Sequence, residues 1–162
     1  MLLQGSCHCR AVTFNVEAAH PYPFMLCYCS ICRKTAGGGG FAINLGAKAA
    51  TLTVTGAEHV RTYRARITDP ETGEATLSPA ERKFCAHCGS ALWVWDPRWP
   101  DHLHPHASAI DTDLPVPPER THLMLASKAG WVQPCLQDGD RTFDLYPDES
   151  LADWHRRLHL ES

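Results

Sequence analysis

Seven of the eight cysteines in this 162-residue chain fall into three tight groups: Cys7-His8-Cys9, Cys27-Tyr28-Cys29-Ser30-Ile31-Cys32 and Cys85-Ala86-His87-Cys88-Gly89. Such spacing suits metal chemistry, because a tetrahedral zinc ion needs its sulfurs about 2.3 Å from one point. Residues two apart on a strand point the same way, so Cys7 and Cys9 can share a metal. Cys85-x-x-Cys88-Gly89 has the form of a zinc knuckle, in which the glycine turns the chain with positive φ while backbone amides approach sulfur. The two pairs together supply four thiolates, the ligand set of a closed structural site, and would tie residue 7 to residue 88. The alternative is disulfides or buried free thiols. Met1-Leu2-Leu3-Gln4-Gly5-Ser6-Cys7 lacks the basic and long apolar regions of a secretion signal. A cytoplasmic location, where thiols stay reduced, is therefore expected.

Cys27, Cys29 and Cys32 offer three ligands and no fourth. A zinc ion with three protein ligands and an open position is the arrangement of a catalytic site. The alternative is a second structural zinc completed by Cys135 or by one of His8, His87, His102, His104 and His106. A thiolate-rich zinc is a weak Lewis acid but holds an incoming thiol as thiolate, the reactive form. Thiol chemistry is therefore favoured over water activation.

Arg33 and Lys34 follow the triplet and are candidates to hold the carboxylates of a glutathione-like molecule, against the alternative of solvated surface charges. Gly37 to Gly40 would let a ligand approach the backbone closely. They do not form a phosphate loop, because no Gly-Lys-Ser/Thr follows. Trp93, Trp95 and Trp99 read as core or pocket walls. Asp111 and Asp113 read as turn residues rather than as an acid or base. His102, His104 and His106 form a cluster suited to proton relay, though exposed loop residues are the expectation. Cys135 reads as a lone buried thiol.

The elements that must position these residues are mostly short alternating stretches. Val12, Phe14 and Val16 share one face; Phe24, Leu26 and Tyr28, Phe41, Ile43 and Leu45, Leu52 and Val54, Tyr63, Ala65 and Ile67, and Leu92 and Val94 repeat the pattern. Gly and Pro punctuate them at all-β intervals. Asp69-Pro70-Glu71-Thr72-Gly73 reads as the turn of a surface hairpin, and residues 96–106 and 111–119 as loops. One helix over about residues 149–160 closes the chain, capped by Asp148, with Leu151, Trp154, His155 and Leu158 on a core-facing stripe. The length suits a single domain over residues 1–162. A net charge of -3 does not favour a nucleic-acid partner, and no apolar run approaches the ~20 residues of a membrane span.

Gly5-Ser6-Cys7-His8-Cys9, then Cys27 through Lys34 with Gly37 following, then Phe84-Cys85-Ala86-His87-Cys88-Gly89-Ser90 resemble the glutathione-dependent formaldehyde-activating enzyme family. Weaker echoes lie in Ala109-Ile110-Asp111 and in His122-Leu123 through Ser127-Lys128-Ala129-Gly130-Trp131, so the resemblance covers about residues 5–135. It implies a mainly β chain, a β-tent of small antiparallel sheets. It also implies two zinc ions, structural at Cys7, Cys9, Cys85 and Cys88 and catalytic at Cys27, Cys29 and Cys32. The implied activity is that of a carbon–sulfur lyase joining glutathione to formaldehyde, in formaldehyde detoxification. Tyr28 stands where many members carry His, and the 69–82 excursion is longer than usual. The competing expectation is a two-zinc structural module that binds a protein partner without chemistry.

Overall fold

The computed structural model describes residues 1–22 and 24–160. The first half of the chain supplies β1 (Leu2–Ser6), β2 (Thr13–Glu17), β3 (Met25–Cys27), α1 (Ser30–Ala36), β4 (Ala42–Ile43), β5 (Ala47–Lys48), β6 (Thr53–Thr55), β7 (Val60–Tyr63) and β8 (Arg66–Thr68). The second half supplies β9 (Ala75–Leu77), β10 (Glu81–Cys85), β11 (Ala91–Trp95), β12 (His102–Pro105), β13 (Thr121–Leu123), β14 (Arg141–Thr142) and α2 (Leu151–Arg157). The architecture is thus mainly β, in small sheets with a helix near the C-terminus.

Four sheets result, ordered β1-β2-β6, β5-β12-β11-β10-β7, β14-β13-β3-β4 and β8-β9. Three are antiparallel throughout. In the third, β13 runs parallel to both β3 and β14, and only β3–β4 is antiparallel. The alternation of Leu3 in β1 with Phe14 and Val16 in β2 turns one sheet face inward, where it meets Leu92 and Trp93 of β11 and Leu103 of β12. Phe14 and Trp93 pack edge to face at 5.1 Å between ring centres. This cluster lies between the three- and five-stranded sheets. A smaller one, containing Cys27, Cys32, Ala42 and Leu123, lies under α1.

The surface hairpin around residues 69–73 is present as β8 and β9, with the Asp69 carboxylate accepting from the backbone N–H groups of Glu71 and Thr72. Residues 96–106, expected as a loop, instead contain β12. Its Leu103 and Pro105 are buried while His102 is exposed, an alternation hidden by the surrounding Pro, Asp and His. The last helix is shorter than 149–160, and Ser150 rather than Asp148 caps it, its hydroxyl accepting from Asp153 N–H at 3.1 Å. Asp148 pairs with Arg141 instead. Trp154 is the helix anchor, stacked on Phe24 at 3.9 Å.

Candidate metal centres and the adjoining cleft

Two turns build the four-cysteine group. Cys7 and Cys9 follow β1, Cys85 ends β10, and Cys88 lies on the way into β11. In the first turn Arg10 N–H donates to Cys7 C=O at 3.0 Å; in the second, Gly89 N–H donates to Cys85 C=O at 2.9 Å. The residue after the second cysteine has positive φ in both turns: 64° at Arg10 and 74° at Gly89. Glycine adopts this freely, whereas an arginine held there carries strain of about 1 kcal/mol or more. Val12 N–H points at Cys7 Sγ (3.3 Å) and His87 N–H at Cys85 Sγ (3.4 Å), the backbone-to-sulfur contacts that favour thiolates. The Ser90 hydroxyl and backbone draw the Cys88 thiol down to about 5. Cys7–Cys9 and Cys9–Cys85 sulfurs are 3.6 and 3.8 Å apart. Sulfurs at the corners of a tetrahedron with metal–sulfur bonds of about 2.3 Å would stand about 3.8 Å apart. The donor set and its spacing fit zinc.

The triplet is assembled differently. Cys27 closes β3, Cys29 is the N-cap of α1, and Cys32 sits in its first turn. Cys29 Sγ accepts from Cys32 N–H at 3.3 Å, the work a Ser or Asp does at an ordinary helix start. All three sulfurs lie within 4.8 Å of one another, and no His, Cys, Asp or Glu among the described residues joins them as a fourth. Hydrogen bonds with Cys27 and Cys32 pull the Cys29 thiol down, and the bond to Cys29 pushes Cys27 up. Three sulfurs this close must share protons or a cation, so this set too fits a metal.

Side chains from distant elements surround Cys32. Both terminal nitrogens of Arg82, from β10, stand 3.7 Å from its sulfur, and Asn44 Nδ2 stands 3.9 Å from it. Asn44 is paired with His106 in an isolated antiparallel bridge, which places their side chains on one face. Both carry a buried polar atom without a hydrogen-bond partner, Asn44 Oδ1 and His106 Nδ1. His106 is 2% exposed, and burial, reinforced by the charge of Arg82, lowers its pKa to about 4. Arg82 and His106 line a cleft of about 310 Å³ with Thr35, Tyr63, Phe84 and Ala91. Thr35 and Ala91 also border a second cleft of about 450 Å³ beside the four-cysteine group, walled by Ser6, His8, Arg10 and Asp111. Thr35 and Ala36, three and four residues past Cys32, carry the helix face toward these clefts.

Arg33 and Lys34 lie off that face. Lys34 is exposed, Arg33 is half-buried with its Nε unpartnered, and neither lines the two clefts. Gly37 caps α1 and packs so tightly that a Cβ there would meet the Phe41 carbonyl oxygen at 2.2 Å. Of the tryptophans, Trp93 is buried and Trp95 half-buried, but Trp99 is exposed rather than a wall. Asp111 accepts from Ser6 Oγ (2.6 Å) and pairs with Arg10 (3.2 Å). Cys135, expected as buried, is exposed, because the segment after Val132 runs over the surface; it is outside both cysteine groups. His102, His104 and His106 are not a uniformly exposed loop: β12 leaves His102 exposed, His104 half-buried with Nδ1 3.1 Å from Leu45 C=O, and His106 in the core. Arg82 and Asn44 had no local signal, since each reaches Cys32 from a different element, whereas His106, a candidate from its histidine cluster, lines the cleft from the end of β12.

Behind the triplet runs a buried polar chain. Tyr28 sits between two of the cysteines but is 1% exposed, with its hydroxyl 2.9 Å from His122 Nδ1. His122 Nε2 is 3.1 Å from Asp140, which also accepts from Arg120 and from Gln137 N–H. Burial opposes ionisation of Asp140, but these donors outweigh it and hold the carboxyl far below its usual range.

The profile of the family described as "Glutathione-dependent formaldehyde-activating enzyme" matches residues 2–125. A Halomonas elongata protein named "Putative glutathione-dependent formaldehyde-activating enzyme" is 62% identical over 161 residues, covering 99% of each chain. A structural-genomics crystal structure of a Rhodobacter sphaeroides protein is similar with a TM-score of 0.51 and 26% identity, over 69% of this chain and 91% of that one.

Proposed function

The chain belongs to the glutathione-dependent formaldehyde-activating enzyme family, and we propose that it is a carbon–sulfur lyase joining a glutathione-like thiol to formaldehyde or another small carbonyl. The observation that carries this reading is the odd ligand count of Cys27, Cys29 and Cys32, set against the complete four-thiolate group in the same fold. Zinc is the metal that suits both donor sets, held structurally by Cys7, Cys9, Cys85 and Cys88 and at the reactive centre by the triplet. When bound at the triplet, it supplies the positive charge that keeps a substrate thiol as thiolate.

The protein's own residues do the rest. The strand end and helix cap fix the three sulfurs, and Arg82 and Asn44 direct donors at Cys32. Arg33 and Lys34, with the short Gly37 turn behind them, would hold the carboxylates of the thiol. The broader cleft between Ser6, His8 and Arg10 has the polar walls a peptide-like thiol needs. None of the eight cysteines forms a disulfide, which fits a reducing cytoplasm. No helix among the described residues is long and apolar enough to cross a membrane. The two-zinc module without chemistry is less favoured, since it calls for a fourth protein ligand on the triplet.

The test is zinc content per chain combined with titration of glutathione by calorimetry in two buffers of different ionisation heat. The expected result is two zinc ions and saturable thiol binding with release of one proton, because only the thiolate coordinates. A chain that binds no thiol returns the protein to the structural-module reading.

A further inference from the structure

A native fold rarely leaves buried polar atoms unsatisfied, and each one calls for an explanation. Side-chain atoms of Arg33, Asn44 and His106, around α1 and the triplet, are in this state. Asn44 and His106 face the same way from one β-bridge, and His106 lines the cleft that Arg82 shares. Arg82 holds its guanidinium at Cys32. The cleft is therefore lined by the Arg82 cation and the buried His106 ring, with apolar walls from Tyr63, Phe84 and Ala91; Lys83 also lines it, but its ammonium is paired with Glu81 at 2.6 Å. A carboxylate-rich thiol is a poor match for such walls. A small carbonyl compound is a good match, having one oxygen to satisfy and little else that is polar.

We propose that Arg82 and His106 form the subsite for the carbonyl oxygen of the aldehyde, beside Cys32. The assignment rests on the thiol-plus-carbonyl reading given above. In the addition, the thiolate sulfur forms a bond to the carbonyl carbon, and the π pair of C=O moves onto oxygen. The resulting alkoxide takes up one proton, balancing the one the thiol released, so that nothing is oxidised or reduced. Negative charge grows on that oxygen alone, and donors already aimed at it stabilise the transition state more than the ground state. His106 is neutral at physiological pH because it is buried, so its Nδ1 can donate in one tautomer without carrying a competing charge. Arg82 remains charged throughout.

The experiment uses the full zinc-loaded chain and follows the addition of glutathione to formaldehyde by exchange NMR. His106→Leu removes the ring nitrogen at similar size, and His106→Asn keeps a donor close to the Nδ1 position. The expected result is at least a tenfold fall in kcat/KM for formaldehyde in His106→Leu, substantial recovery in His106→Asn, and unchanged zinc content and glutathione affinity in both. Full formaldehyde kinetics in a folded His106→Leu protein would overturn the subsite. So would an equal loss of glutathione affinity, which would assign the cleft to the thiol. If the parent binds glutathione but catalyses no addition, the lyase reading falls and the subsite falls with it; an active parent with an indifferent His106→Leu variant overturns the subsite alone.

Discussion

The two cysteine groups hold similar atoms in different settings. The four-cysteine group is made by two turns that resemble one another down to the positive φ after the second cysteine, and the atoms pointing at its sulfurs are largely local: backbone N–H groups and the Ser90 hydroxyl. The triplet takes its cysteines from a strand end and a helix start. Its Cys32 is approached by charged and amide side chains from β10 and from beyond β4. A group closed on itself joins distant segments and leaves no open position on a metal. A group with three sulfurs, a guanidinium and a neighbouring cleft is equipped to act on something else.

The largest effect is expected from damage to the closed group. Cys85 is fully buried, and with Cys88 it joins the five-stranded sheet to the segment after β1. Structural zinc contributes on the order of 10 kcal/mol to folding, comparable to the whole stability of a small domain. Cys85→Ser or Cys9→Ser is therefore expected to unfold or precipitate the protein, as read by circular dichroism and thermal melting. A variant that melts like the parent would show that the four sulfurs do not close a structural site.

Damage to the triplet should have the opposite signature. Cys29→Ser keeps an oxygen able to cap α1, so helix and fold should survive. The variant is expected to lose one zinc per chain and all thiol-plus-aldehyde activity, measured by metal analysis and exchange NMR. Retention of both metals with full activity would erase the distinction between the two groups.

A smaller effect should come from the polar chain behind the triplet. Asp140→Asn leaves Arg120 and His122 without their anion in a buried place, a change expected to cost about 2–4 kcal/mol. The native carboxyl titrates below its unfolded value of about 3.9, so its contribution is fully present above that pH and is lost as pH falls toward the folded pKa. Urea unfolding of parent and variant should therefore differ most above about pH 5 and converge in stronger acid. A difference that shows no decline between about pH 5 and about pH 2 would mean that the anion is not what stabilises the site.

Local spacing made the cysteine groups legible, because two or three residues at fixed offsets carry the whole signal. The strands carrying Phe14, Leu92 and Val94 were legible by alternation for the same reason. Helix α1 was not: seven residues between a cysteine cap and Gly37 show no sustained helical period. Strand β12 was masked by Pro and His, and the parallel pairing of β13 with β3 depends on partners almost a hundred residues apart. Arg82 and Asn44 are non-local in the same sense, while His106 was visible as one of three clustered histidines but not as the buried one. Nothing in the sequence around Arg82 distinguishes it from Arg61 or Arg66; only the β7–β10–β11 packing brings it to Cys32. Tyr28 was visible as a departure from the family pattern, but its bond to His122 was not.

The smallest expected effect concerns the charges that sequence spacing nominated first. Arg33 and Lys34 lie outside both clefts, so if they hold a thiol they do so at its charged ends, from the rim. Rim charges act across water and salt, with a screening length of about 8 Å at physiological ionic strength, and exposed ion pairs contribute at most about 1 kcal/mol. The double variant Arg33→Ala with Lys34→Ala is therefore expected to weaken glutathione binding by about fivefold at low salt, to flatten its salt dependence, and to keep both zinc ions. Calorimetric titration at two salt concentrations, with metal analysis beside it, reads all three outcomes. Unchanged affinity at both salt concentrations would make these residues solvated surface charges. Loss of zinc would instead make Arg33, through its half-buried stem, part of what holds α1 and Cys32 in place. A large, salt-independent loss of affinity would move the thiol from the rim to direct burial against α1, and would contradict the separation of thiol and carbonyl between the two clefts.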